Sequence, residues 1–177
     1  MSEAVAPGAP ALTRHLRVSR PVLLATILNL HRRGAGDPTH RRVGDVWFRA
    51  TRTPAGPALM KLLVVGGCVS ARAWGEGAGW ALDHLPRLVG ETDEIAGFEP
   101  RAAHAPLVEA HRRFSGYRVG RTDAVFEALA PACIEQVVTG QEAFRAWRLL
   151  VREFGEVAPG PATDPASPAY GMRVPPT

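Results

Sequence analysis

From Arg41 to Gly75 the sequence divides into four short runs, "RRVGD", "VWFRATRT", "ALMKLLVVG" and "GCVSARAWG", separated by Gly, Pro and Asp at close intervals. Runs of this length, rich in Val, Trp, Phe and Thr and bounded by turn residues, read as β-strands. Connections this short permit only antiparallel neighbours, because a parallel pair needs a crossover of a dozen residues or more. "TPAGPA" reads as the hairpin turn between the second and third runs. A meander of strands is therefore the centre around which the remaining chain must be arranged.

On the N-terminal side, "RHLRVSR" alternates apolar and polar residues as a half-buried strand does. Pro21 can open a helix, where its missing N–H costs nothing. Apolar positions at Leu23, Leu24, Ile27, Leu28 and Leu30 continue that helix into basic residues and Gly34. Beyond the meander, "GWALDHLPRLVGE" returns to helical spacing, with Trp80, Leu85 and Leu88 on one side and Pro86 near a break. These features predict an α+β fold over residues 14–90, a small antiparallel sheet with two covering helices. Residues 1–13 are small and Pro-rich and are expected to form a disordered tail.

Residues 91–121 read as a connector carrying a short helix, "APLVEAHRRF". Over 122–155 two helices follow. Thr122 or Asp123 can cap the first, and Pro131 falls inside it, where it costs a hydrogen bond and bends the axis. "TGQE" is a capping box, in which the Thr139 hydroxyl and the Glu142 carboxylate serve backbone N–H groups reciprocally and Thr139-Gly140 forms the corner. The second helix carries the stripe Phe144, Trp147, Leu150, Val151 and Phe154, and Gly155 stops it. The last stretch, 156–177, reads as a Pro-rich tail. That leaves the helix pair little to pack on, so Phe144, Trp147 and Val151 are expected to be partly exposed and to await another chain.

With 177 residues, 46% of them hydrophobic, the chain can bury a sizeable core. Its longest apolar run, "PVLLATIL", is far short of the roughly 20 residues of a membrane span, and the N-terminus lacks the order of a signal peptide. A cytoplasmic, nucleoid-associated location is expected, with no membrane partner. Cys68 and Cys133 stand in apolar runs without ligand spacing and read as small buried hydrophobes, so neither a metal nor a cofactor is expected.

The net charge of +4 favours acidic partners, nucleic acid first. Lys61 is the only lysine. Basic clusters at residues 31–33, 40–42, 48–52 and 111–114 could each touch phosphates, although a solvated face is the plainer reading of any one. No HExxH, GxSxG or phosphate-cradling glycine loop occurs, and His84 and His111 read as structural or solvated.

The segment "GYRVGRTDAVFEALAPACIEQVVTGQEAFRAWRLLVREFG" resembles the opening helices of the helix-hairpin-helix DNA glycosylases of the 3-methyladenine DNA glycosylase II type. The likeness lies in a helix ending in Ile134, Glu135, Gln136, Val137, Val138 and Thr139, then a second helix with a wide apolar stripe closing on Phe154-Gly155. The preceding sheet domain resembles the TATA-binding-protein-like domain of the same family. Such enzymes flip a damaged nucleotide out of the duplex and hydrolyse its N-glycosidic bond. By this resemblance Val137 is the wedge that fills the vacated stack and Gln136 the edge of the base pocket. An amide suits that place because it both donates and accepts against base edges. The plainer alternative is that Gln136 caps its helix or bonds the Thr139 turn.

The family also requires an "LPGIG"-like hairpin and a catalytic aspartate after this helix, and neither is found in the 177 residues. "HLPRLVGE" lies upstream, Asp164 sits in the Pro-rich tail, and no catalytic residue is assigned. "MRVPPT" resembles the family's entry into its next helix. The expectation is thus a base-excision-repair protein of the DNA-glycosylase kind, represented by its N-terminal part and inactive alone, with damaged duplex DNA as partner and the missing half, or another chain, covering the apolar stripe. The rival expectation is a non-enzymatic DNA-binding or protein-interaction module.

Overall fold

The computed structural model describes residues 10–94, 97–114 and 116–177. Five strands, β1 (Leu12–Arg17), β2 (His40–Val43), β3 (Val46–Thr53), β4 (Gly56–Val65) and β5 (Cys68–Trp74), form one antiparallel sheet in the order β1-β5-β4-β3-β2. Two-residue loops close its hairpins. Gly66 and Gly67, at φ 56° and 74°, join Val65 to Cys68, where both central residues of a type I′ turn need positive φ.

Side chains alternate between two faces. Trp47, Met60, Leu62, Val69, Ala71 and Ala73 point to one of them, buried beneath helices α1 (Leu24–Asn29), α2 (Ala78–Asp83) and α3 (Leu85–Leu88). The break expected near Pro86 occurs at His84, which ends α2 and precedes α3. His84 stacks on Trp80 at 3.7 Å and is structural. Helix α1 is shorter than its apolar spacing predicts, because the Arg33 N–H donates to Asp37 Oδ2 at 2.7 Å and the chain turns away after Asn29.

The second face is where the sequence misleads. Residues 156–177 fold: β6 (Glu156–Val157) pairs with β7 (Arg173–Val174), a 3-10 turn covers Gly160–Thr163, and Ala158, Ala162, Ala169, Met172 and Val174 pack on Phe48, Ala50 and Leu59. The prolines remove donors but not apolar surface, and the sheet needs that surface covered. Within "MRVPPT", Arg173 and Val174 form the strand β7. Leu12 and Thr13 also belong to β1 rather than to a disordered tail, while residues 1–9 lie outside the described residues.

The remaining helices are α4 (Ala105–Arg113), α5 (Val125–Glu135) and α6 (Gly140–Phe154). Ala124 holds the N-cap position of α5, with Asp123 at φ 53° and paired to Arg87 at 3.0 Å. On α6, Trp147 and Val151 are 2% and 0% exposed, against the expectation that they wait for a partner. Phe144 is half-buried against Gly34. Neither cysteine is fully buried: Cys68 is half-exposed, and Cys133 is exposed because α5 presses only Pro131 inward. No helix among the described residues is long and apolar enough to cross a membrane.

Candidate nucleic-acid interface

The corner between α5 and α6 projects from the sheet, yet buried polar contacts hold both of its arms. On α5, Glu127 accepts from Arg49 Nη2 at 2.8 Å, from the Thr51 hydroxyl at 2.5 Å and from the Arg52 N–H at 2.9 Å. Three donors satisfy a carboxylate that would otherwise be costly to bury. At the end of α5, next to Gln136, Glu135 pairs with Arg33 at 3.3 Å. On α6, the Trp147 indole N–H approaches Asp37 Oδ1 at 3.4 Å, and Arg148 lies against Gly36. The far end of α6 is capped from the folded tail, where Arg173 donates to the carbonyls of Val151 and Gly155 at 3.2 and 2.6 Å.

Asp37 is the centre of this anchorage. Burial alone would raise its pKa, but the His40 side chain, the Arg33 N–H and the Thr39 hydroxyl together hold it well below the carboxylate range. Thr39 donates to it through both its backbone N–H, at 2.8 Å, and its hydroxyl, at 2.7 Å. Nearby, burial and then electrostatic interaction with Arg49, His40 and Arg33 lower the pKa of His31 to about 4, so this imidazole is neutral at pH 7. His31, His40, Thr39, Glu127 and Trp147 surround a small polar gap between sheet and helix pair.

At the corner itself, Gln136 is the C-cap residue of α5 and is exposed, its N–H bonding the Cys133 carbonyl at 3.3 Å. Val137 is 80% exposed and Val138 41%. The Thr139 turn is served by Glu142, whose Oε2 accepts the Thr139 N–H at 3.0 Å and the Thr139 hydroxyl at 2.8 Å. Those two bonds hold the exposed Glu142 carboxyl below its ordinary pKa. Gly140 has open space on its Cβ side. Gln136 and Val137 thus stand side by side, facing solvent, on a corner whose arms are fixed.

The basic clusters prove heterogeneous. Arg49 is buried and paired with Glu127, Arg52 pairs with Glu156, and His31 and His40 are drawn into the polar gap. His111, Arg112 and Arg113 lie exposed on α4. Sequence reasoning missed Arg49, Asp37 and Glu127 as the residues that position the corner. The available signal was Arg49 itself, an arginine on the same strand face as Trp47.

No protein-family model matches the sequence, and neither does any curated protein. Among solved structures, the chain is similar to a 3-methyladenine DNA-glycosylase from Archaeoglobus fulgidus, with 17% sequence identity and a TM-score of 0.61 over 81% of this chain and 51% of that one. The chain spans about half the length of that structure, and the likeness is one of fold.

Proposed function

We propose that this chain is a DNA-repair module of the glycosylase kind, whose α5–α6 corner probes duplex DNA for a weakened base pair. The observation that carries the proposal is Val137, a branched apolar residue four-fifths exposed beside an exposed amide on a corner clamped by the buried Arg49–Glu127 ion pair. An apolar side chain held this way can enter a base stack without first being ordered. In this reading Val137 is the wedge, Gln136 reads the edge of the displaced or opposite base, and Thr139, Gly140 and Glu142 hold the turn. The glycosylase-like fold supports the same direction.

Hydrolysis is not assigned to the 177 residues. Glu127 and Glu135, the carboxylates on the approach to the corner, are committed to Arg49 and Arg33, and Glu142 to the turn. None is left to stabilise an oxocarbenium-like sugar or activate water. The expected result with alkylated duplex is therefore binding without release of free base. A duplex with one abasic or mispaired position should bind more tightly than the intact duplex, since unstacking costs least there. Equal affinity for both would remove the support for a probing role.

A second reading, a protein-interaction module, is favoured by one observation: α4 buries no residue, and its Ala110, His111 and Arg113 line an apolar groove with Leu23, Phe98, Phe114 and Tyr117.

A further inference from the structure

The part of the second sheet face left open by the folded tail carries cations and, among the described strand residues, no carboxylate. Across the strands, Thr13, Arg72 and Lys61 form an open register row, which runs on to Phe48, covered by the tail, and to Arg41, which donates to the Pro168 and Tyr170 carbonyls at 2.7 and 2.9 Å. Lys61 and Arg72 are directly opposite each other, and Arg17 and His15 extend the face along β1. His15, Arg17 and Arg72 are exposed and Lys61 is half-exposed. Arg72 is steadied over the Trp74 ring at 5.3 Å. None of the five strands contains Asp or Glu, so nothing within the sheet neutralises the row.

Like charges placed directly opposite in a sheet repel and lower its stability. Elsewhere in this molecule Arg49, Arg52, Arg87 and Arg118 each have a carboxylate partner. Among the described residues neither Lys61 nor Arg72 has a carboxylate partner, and together they form a surface complementary to an anion. With strands about 4.8 Å apart, Arg72 and Lys61 stand side by side, while Arg17, opposite Cys68, lies four residues or roughly 13 Å further along the sheet, so the three cations span a run of backbone phosphates. This face lies on the side of the sheet opposite α1, α2 and α3.

We propose that this open sheet face, centred on Lys61, Arg72 and Arg17, is a second, sequence-independent contact for the phosphate backbone of duplex DNA, separate from the α5–α6 corner. The choice of DNA rests on the function proposed above. The cations remain solvated in the free protein and release condensed counterions when a duplex is bound.

The test is a salt titration of the affinity of the full chain for an intact duplex, comparing wild type with the triple variant K61A/R72A/R17A and with R112A/R113A on exposed α4 as a charge control. Each phosphate contact contributes about −0.9 to the slope of log K against log salt, so the triple variant should flatten the slope by about 2 to 3, with the control nearer to wild type. A parallel variant, Q136A/V137G, separates the two claims. If the triple variant keeps the wild-type slope while Q136A/V137G loses its preference for a weakened pair, the sheet contact is wrong and the corner stands. If the slope flattens while Q136A/V137G behaves as wild type, the sheet contact stands and the corner is wrong. Absence of any duplex binding by wild type at low salt would overturn both. Unchanged urea unfolding midpoints would show that the variants are folded.

Discussion

Glu127 on α5 and Arg49 on β3 meet at 2.8 Å across 78 residues of sequence, with both side chains almost wholly removed from solvent. This pair ties the helix corner to the sheet, so the exposed Gln136-Val137 edge depends on a contact remote from it in sequence. Breaking it from one side leaves a buried charge unmatched. Glu127→Ala is expected to cost about 3–5 kcal/mol, whereas the double variant R49M/E127L, with an apolar replacement for both, should recover much of that loss. Urea unfolding of the three proteins checks this, and equal stability of the single and double variants would contradict it.

The folded tail makes a second prediction. Met172 is fully buried on the sheet, and Arg173 caps α6. Met172→Ala should destabilise the whole chain by about 2–5 kcal/mol, the range for emptying a core position. Were residues 156–177 a loose appendage, the change would be within about 0.5 kcal/mol, as for an unremarkable surface site.

Acid should weaken the fold in two windows. The pKa of His31 falls from 6.5 to about 4 on folding, so between those pH values the unfolded chain takes up a proton that the folded one refuses. Stability is therefore complete above about pH 6.5 and drains away toward pH 4. Asp37 is depressed from its ordinary 3.8, and it adds a further loss as pH falls below that value. Urea midpoints measured from pH 7.5 to pH 3.5 should hold steady down to about pH 6.5 and fall below it, and His31→Gln should flatten the upper window alone. A wild-type midpoint unchanged between pH 7 and pH 4.5 would show that His31 is not held neutral.

The Thr139 turn is more modest in energy. Thr139→Ala removes the cap hydroxyl and should cost about 1 kcal/mol, with the stability loss measurable by thermal unfolding. Thr139→Ser, which keeps the oxygen, should lie near wild type.

How much of this could be read from the sequence depends on the range of the forces involved. The sheet was legible because period-two alternation and short Gly and Pro connections are local. The TGQE turn was legible because its bonds span three residues. The order of residues 156–177 was not, since Ala158, Ala162, Ala169, Met172 and Val174 follow no period and are ordered only by the sheet face they cover. A hint of that face did exist: Trp47 and Phe48 are adjacent and both buried, which requires cover on both sides of β3. The same omission led to the expectation that Trp147 and Val151, with Phe144, were partly exposed. The Arg49–Glu127 clamp carries no local signature at all.

The most direct measurement is the ratio of affinities for an abasic-site duplex and the matching intact duplex, at one salt concentration, for wild type and Val137→Gly. Inserting a valine into a gap in the stack is worth on the order of 1.5 kcal/mol of apolar burial, about tenfold in affinity. The expected result is a wild-type preference of that size for the gapped duplex, abolished in Val137→Gly, with affinity for the intact duplex nearly unchanged. A preference that persists undiminished in Val137→Gly would contradict the assignment of Val137 as the residue that probes the stack.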